Sequence, residues 1–205
     1  MKKRPAQHII PGMPPGIIIP SDSAQHPRGV DLLTYSADAV DERPGLVVDD
    51  ALAAIRAVTQ APATPPQVLW LNVSGLADAQ LLKKIGEALT LHPLAMEDVV
   101  SLRQRPRVDN YDSHLYIPLK ILQQDDNALT FNQLSIFLLN NLVVTFQEQT
   151  GDVLDAVRLR IRHGSGRIRQ MGADYLMYSI IDTVIDNYFP CLEQINDLME
   201  ALEEK

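Results

Sequence analysis

The sequence predicts an α/β protein: an α/β/α sandwich with a mixed sheet, followed by a long helix of a helical hairpin. Three observations predict it. Compact apolar runs such as VLWLNV at 68–73 alternate with amphipathic stretches such as 78–89, where Leu81, Leu82, Ile85 and Leu89 share one side. Three apolar runs at 114–123, 131–139 and 142–147 follow closely, with Asn140–Asn141 as tight-turn chemistry between the last two. From 167 onward the apolar residues repeat with steps of four and three.

The elements follow in order. The first 30 residues are rich in Pro and Gly and read as an extended arm with a short strand at 16–20. A strand is expected at 31–36 and a helix at 49–58, with Leu52, Ile55 and Val58 inward. A loop at 61–66 leads to the buried strand at 68–73, with Trp70 in the core. After the 78–89 helix, Pro93 suits the first turn of another helix, His92 falls at its cap and Pro106 ends it after Arg105. The early strands are expected to pair through parallel crossovers, and 114–147 as an antiparallel meander. A helix at 152–163 is broken by Gly164-Ser165-Gly166. One long helix then runs from about 167 to the last residue, with a seam of Met177, Ile181, Val184, Tyr188, Cys191, Ile195, Leu198 and Leu202. Pro190 removes one hydrogen bond from it and bends it. The helix has no stop signal, which predicts a partner helix further along a longer protein. The expected division is an α/β domain at 1–164 and the first part of the helical hairpin at 165–205.

Composition excludes several classes. A net charge of −8 argues against nucleic acid as a partner. No apolar run approaches the ~20 residues that span a bilayer, and the prolines at 11, 14 and 15 interrupt any signal-peptide core. The lone Cys191 builds neither a disulfide nor a thiolate metal site and reads as a packed thiol in a reducing compartment. His8, His26, His92, His114 and His163 are scattered, and no phosphate loop, GxGxxG or GxSxG motif is present. The chain is therefore not expected to be an enzyme.

Carboxylates are the chemical candidates. Residues 171–205 hold eight of them against Lys205 alone, whereas 152–170 is basic. Glu97 and Asp98 are placed one turn into the short helix, where acidic groups complement the helix dipole by about 0.3–1 kcal/mol. Asp182 and Asp186 stand four apart on one helix face, and Glu193, Asp197, Glu200 and Glu204 extend the stripe. A solvated surface accounts for such a stripe; a surface that gathers cations is the alternative. The Gln104–Arg107 segment, QRPR, is read as a helix stop with locally paired arginines.

The run HPLAMEDVVSLRQRPRVDNYDSHLYIPLKIL at 92–122 resembles the soluble cytoplasmic domain of the CorA magnesium transporters. The likeness continues through FQE at 146–148, GDV at 151–153, the helix from 155 and ADYLMYSIIDTVIDNYF at 173–189. It implies a cytoplasmic divalent-cation sensing part of an inner-membrane transporter, homopentameric when whole, whose membrane helices and Gly-Met-Asn pore motif would lie beyond residue 205. It implies Mg2+ as a regulatory ligand, with Co2+ and Ni2+ as further candidates, bound between subunits and favouring the closed state. By that resemblance Asp98, with Glu97 beside it, faces a neighbouring subunit's aspartate, and Glu97 combines with Asp182 at a second site. A zinc-transporting relative and a free-standing soluble metal-binding protein are the competing expectations.

Overall fold

The computed structural model describes residues 18, 29–60, 67–101, 104–125, 128–149 and 152–203. The elements run β1 (Gly29–Tyr35), β2 (Val40–Arg43), α1 (Val48–Gln60), β3 (Val68–Ser74), α2 (Ala79–Ala88), α3 (Pro93–Val100), β4 (Asp109–Tyr111), β5 (His114–Asp125), β6 (Ala128–Leu139), β7 (Leu142–Gln147), α4 (Asp155–His163), α5 (Ala173–Asp186) and α6 (Tyr188–Glu203). Seven strands form one mixed sheet in the order β2-β1-β3-β7-β6-β5-β4. The expected loop at 61–66 lies outside the described residues, as does the expected strand at 16–20 apart from Ile18, which packs against the core.

The sheet carries helices on both faces, as the fold class requires. One face holds Leu69, Leu71, Val73, Val144 and Phe146 against α1, α2 and α3. The other holds Leu33, Trp70, Ile136 and Val143 against α4 and α5. Strands β3 and β7 are buried at every position because they lie next to each other inside the sheet with both faces covered. Trp70 is 1% exposed, and its indole N–H donates to Thr145 Oγ1 at 2.9 Å, so its one polar atom is satisfied in the core.

The early parallel crossovers are corrected. β1 pairs antiparallel with both β2 and β3, and the one parallel pair is β3 with β7. The unforeseen strand β2 is the cause. Ser36 N–H donates to Ala39 O at 2.8 Å and turns the chain back, so α1 delivers β3 to the far side of β1. The short strand β4 was also missed, whereas the β5-β6-β7 meander forms as expected.

The C-terminal helix begins later than 167. Ile168–Gln170 is a 3-10 turn, Gly172 caps α5, and Asn187 separates α5 from α6 three residues before Pro190. Proline cannot donate to the carbonyl of Asp186, which loosens the helix there. On α5 the expected seam and the buried face coincide only in part. Leu176, Ile180, Val184 and Cys191 are buried, while Met177 and Ile181 are only partly buried at the edge of the core. A second apolar stripe, Tyr178, Ile185, Phe189, Leu192 and Met199, faces outward. The helix packs on a broad sheet, which takes a wider face than a two-helix seam.

Candidate functional site

The candidate site is built on α3. His92 caps it, its Nδ1 accepting from Leu94 N–H at 3.3 Å, and Pro93 occupies the first turn. The His92 ring stacks on Tyr111 at 4.5 Å and Tyr111 on His114 at 4.9 Å. His114 Nε2 accepts from the His92 backbone N–H at 3.4 Å, which ties the helix start to β5. Burial, reinforced by His92, pushes the His114 imidazole below its ordinary range.

The helix ends at Val100, not at Arg105. The Ser101 N–H donates to the Glu97 and Asp98 carbonyls, and its backbone turns extended. Glu97 and Asp98 therefore sit in the last turn rather than the first, where the dipole opposes a carboxylate. The expected dipole explanation is overturned, and Asp98 requires another partner.

That partner is Arg107. Its Nη2 reaches Asp98 Oδ2 at 2.5 Å, its Nε reaches Asp109 Oδ2 at 2.7 Å, and its Nη1 donates to Gln104 Oε1 at 2.8 Å. Gln104 Nε2 donates to Asp98 Oδ1 at 2.6 Å. The segment read as a helix stop is thus a clamp on Asp98. Burial raises the Asp98 carboxyl against the lowering effect of Arg107. Burial works to lower Arg107, but its hydrogen bonds to Asp109 and Asp98 outweigh that and raise it. The contact sets a permanently charged guanidinium directly against the Asp98 carboxylate. From β6, Gln133 donates to the carbonyls of Asp98 and Val99 at 2.9 and 3.3 Å, fixing the last turn on the sheet. Nothing in the sequence singled out Gln133, because its role depends on strand register.

The other predicted carboxylates lie elsewhere. Asp182 is half-buried on α5, with the Tyr178 hydroxyl 3.5 Å from its Oδ1, and Asp186 is exposed at the end of that helix. Within one chain α3 and α5 cover opposite faces of the sheet, so Glu97 and Asp182 stand on different layers. Among the described residues no group of three or more His, Cys, Asp or Glu is arranged to hold a metal. Glu193 is exposed, Glu200 accepts from Asn196 at 2.8 Å, and the Asp197 side chain and Glu204 lie outside the described residues. Three arginines of the basic stretch are engaged internally. Arg158 pairs with Asp155 at 2.5 Å, Arg162 with Glu42 at 2.7 Å, and Arg169 donates to Ile161 O at 2.6 Å.

A cavity of about 350 Å³ lies between the sheet and α4, lined by Asp31, Asn72, Gln147, Arg158 and Arg162 among others. Its polar floor is self-satisfied: Asn72 Oδ1 accepts from Thr145 at 2.8 Å and from Gln147 at 2.6 Å. It reads as a structural polar network beneath Trp70.

Comparison with known proteins decides the family. The family model for CorA-like Mg2+ transporter proteins matches residues 66–205. The chain belongs to the CorA-like Mg2+ transporter family. It is 35% identical over 196 residues to the cobalt/magnesium transport protein CorA of Thermotoga maritima, covering 95% of this chain and 54% of that protein. The chain thus spans about half the length of this relative. The complete structure of the CorA magnesium transporter from Methanocaldococcus jannaschii superposes with a TM-score of 0.60 at 16% identity, covering 85% of this chain and 50% of that one. The ZntB cytoplasmic domain from Vibrio parahaemolyticus gives a TM-score of 0.60 at 10% identity, covering 82% and 63%. These superpositions establish the CorA soluble-domain fold. Among the described residues no helix of this CorA-like chain is long and apolar enough to cross a membrane.

Proposed function

We propose that this chain is the cytoplasmic divalent-cation sensing region of an inner-membrane magnesium transporter, homopentameric when whole and joined to membrane helices outside this sequence. The observation that carries the reading is the CorA match over 95% of the chain, which includes the segment bearing Glu97 and Asp98. In this reading Mg2+ binds at Asp98, with Glu97 beside it, against an aspartate of the adjacent subunit. Glu97 and Asp182 contribute to a second such site, which is why they need not meet within one chain; Asp186 extends its acidic face. The boundary near residue 164 then separates the sensing sandwich from the helical hairpin.

The donor chemistry fits the ion. Magnesium takes hard oxygen ligands, keeps most of its waters and binds weakly to one or two carboxylates. Ion at ten times its dissociation constant stabilises the bound state by about 1.4 kcal/mol per site, or roughly 7 kcal/mol over five independent sites. Two bare carboxylates about 5 Å apart repel by roughly 3 kcal/mol at an effective dielectric near 20. Filled sites hold subunits together and favour the closed state; empty ones push them apart. The ZntB likeness rests on fold alone, so the 35% identity to a cobalt/magnesium transporter favours magnesium over zinc, with Co2+ as a second ion.

The test is limited proteolysis of the complete gene product across a Mg2+ titration. Wild type is expected to gain protection, and Asp98→Asn with Asp182→Asn to lose it. Equal protection in both removes the assignment.

A further inference from the structure

We propose that Arg107 sets the cation affinity of the Asp98 site by competing for it: a divalent ion gains Asp98 Oδ2 by displacing the guanidinium. The inference rests on the reading of Asp98 as a ligand. Both carboxylate oxygens are engaged within the chain, Oδ2 by Arg107 at 2.5 Å and Oδ1 by Gln104 at 2.6 Å. The same guanidinium also gathers Asp109 Oδ2 at 2.7 Å and Gln104 Oε1 at 2.8 Å. Three oxygens therefore converge on one permanent cation, and a divalent ion would contest the Asp98 oxygen among them.

Displacement is feasible on two counts. The Arg107 side chain is 34% exposed, so it has a route to solvent. On leaving Asp98 it retains Asp109 as a partner, so its charge is not stranded. A competitor held this way weakens ion binding without abolishing it, and that places the response at high ion concentration.

The experiment follows Mg2+-dependent protease protection of the complete gene product in detergent for wild type, Arg107→Gln, Arg107→Lys, Arg105→Gln and Asp98→Asn. Arg105 is exposed and controls for simple removal of positive charge. Arg107→Gln is expected to lower the Mg2+ midpoint about tenfold, equivalent to about 1.4 kcal/mol, and Arg105→Gln to move it less than about twofold. Arg107→Lys keeps the charge but loses the fork; it shifts the midpoint the same way by less, and serves if the glutamine variant does not fold. Equal shifts for the two glutamine variants, or no shift at Arg107, overturn the proposal. Loss of protection in Asp98→Asn beside a silent Arg107 variant removes only the competition. Wild-type protection in Asp98→Asn removes the Asp98 assignment and the competition with it.

Discussion

Asp98→Asn keeps the shape of the side chain and removes the charge that Arg107 holds. A hydrogen bond to a charged group contributes about 1.5–3 kcal/mol. Two features reduce that here. The paired side chains are 25% and 34% exposed, so solvent screens them, and Arg107 keeps Asp109 and Gln104 after the change. The expected loss is about 1–1.5 kcal/mol, or a fall of ~2–6 °C in Tm for a domain of this size. Urea unfolding of wild type, Asp98→Asn, Arg107→Gln and the double variant isolates the pair. The coupling energy is expected near 1 kcal/mol. A coupling below about 0.3 kcal/mol, the ordinary error of additivity, would refute the argument that Arg107 neutralises Asp98 inside the chain.

Three further outcomes are expected. His114 has a folded-state pKa below its unfolded value, so the stability it contributes is present above the ordinary histidine range and is lost as pH falls through it. Urea midpoints at about pH 7.5 and 5.5 should differ in wild type, and the difference should shrink in His114→Asn. Phe137, fully buried between Tyr116 and Phe146, should cost about 3–5 kcal/mol when changed to Ala, measured by the same unfolding curves. Gly164 closes α4 at φ 64°, so Gly164→Ala should lower stability by about 1 kcal/mol in thermal melts.

Much of the fold was legible because its signals are local. The buried run at 68–73, the Asn140–Asn141 turn and the His92–Pro93 helix start each carry their own chemistry, and each forms where expected. The misses are non-local. The VDER segment of β2 has one apolar residue and becomes a strand only because β1 offers an edge. The apolar repeat on α5 fits a coiled-coil pattern, but the sheet selects a neighbouring face around Leu176 and Ile180. At the candidate site the carboxylates stood out in sequence, whereas their setting did not. The helix containing them ends five residues earlier than Pro106 suggested, which moves Glu97 and Asp98 from a favourable helix end to an unfavourable one. Arg107, nine residues on and expected to pair locally, neutralises Asp98, while Gln133, 35 residues on in a strand, holds the carbonyls of that last turn.

The most direct test is anomalous diffraction from crystals of the complete gene product soaked in Mn2+ as an oxygen-seeking stand-in for Mg2+. A peak at Asp98, ligated directly or through one water and shared with an aspartate of an adjacent protomer, is the expected result. An Asp98 still clamped by Arg107, with no peak beside it and no neighbouring protomer in reach, would contradict the account.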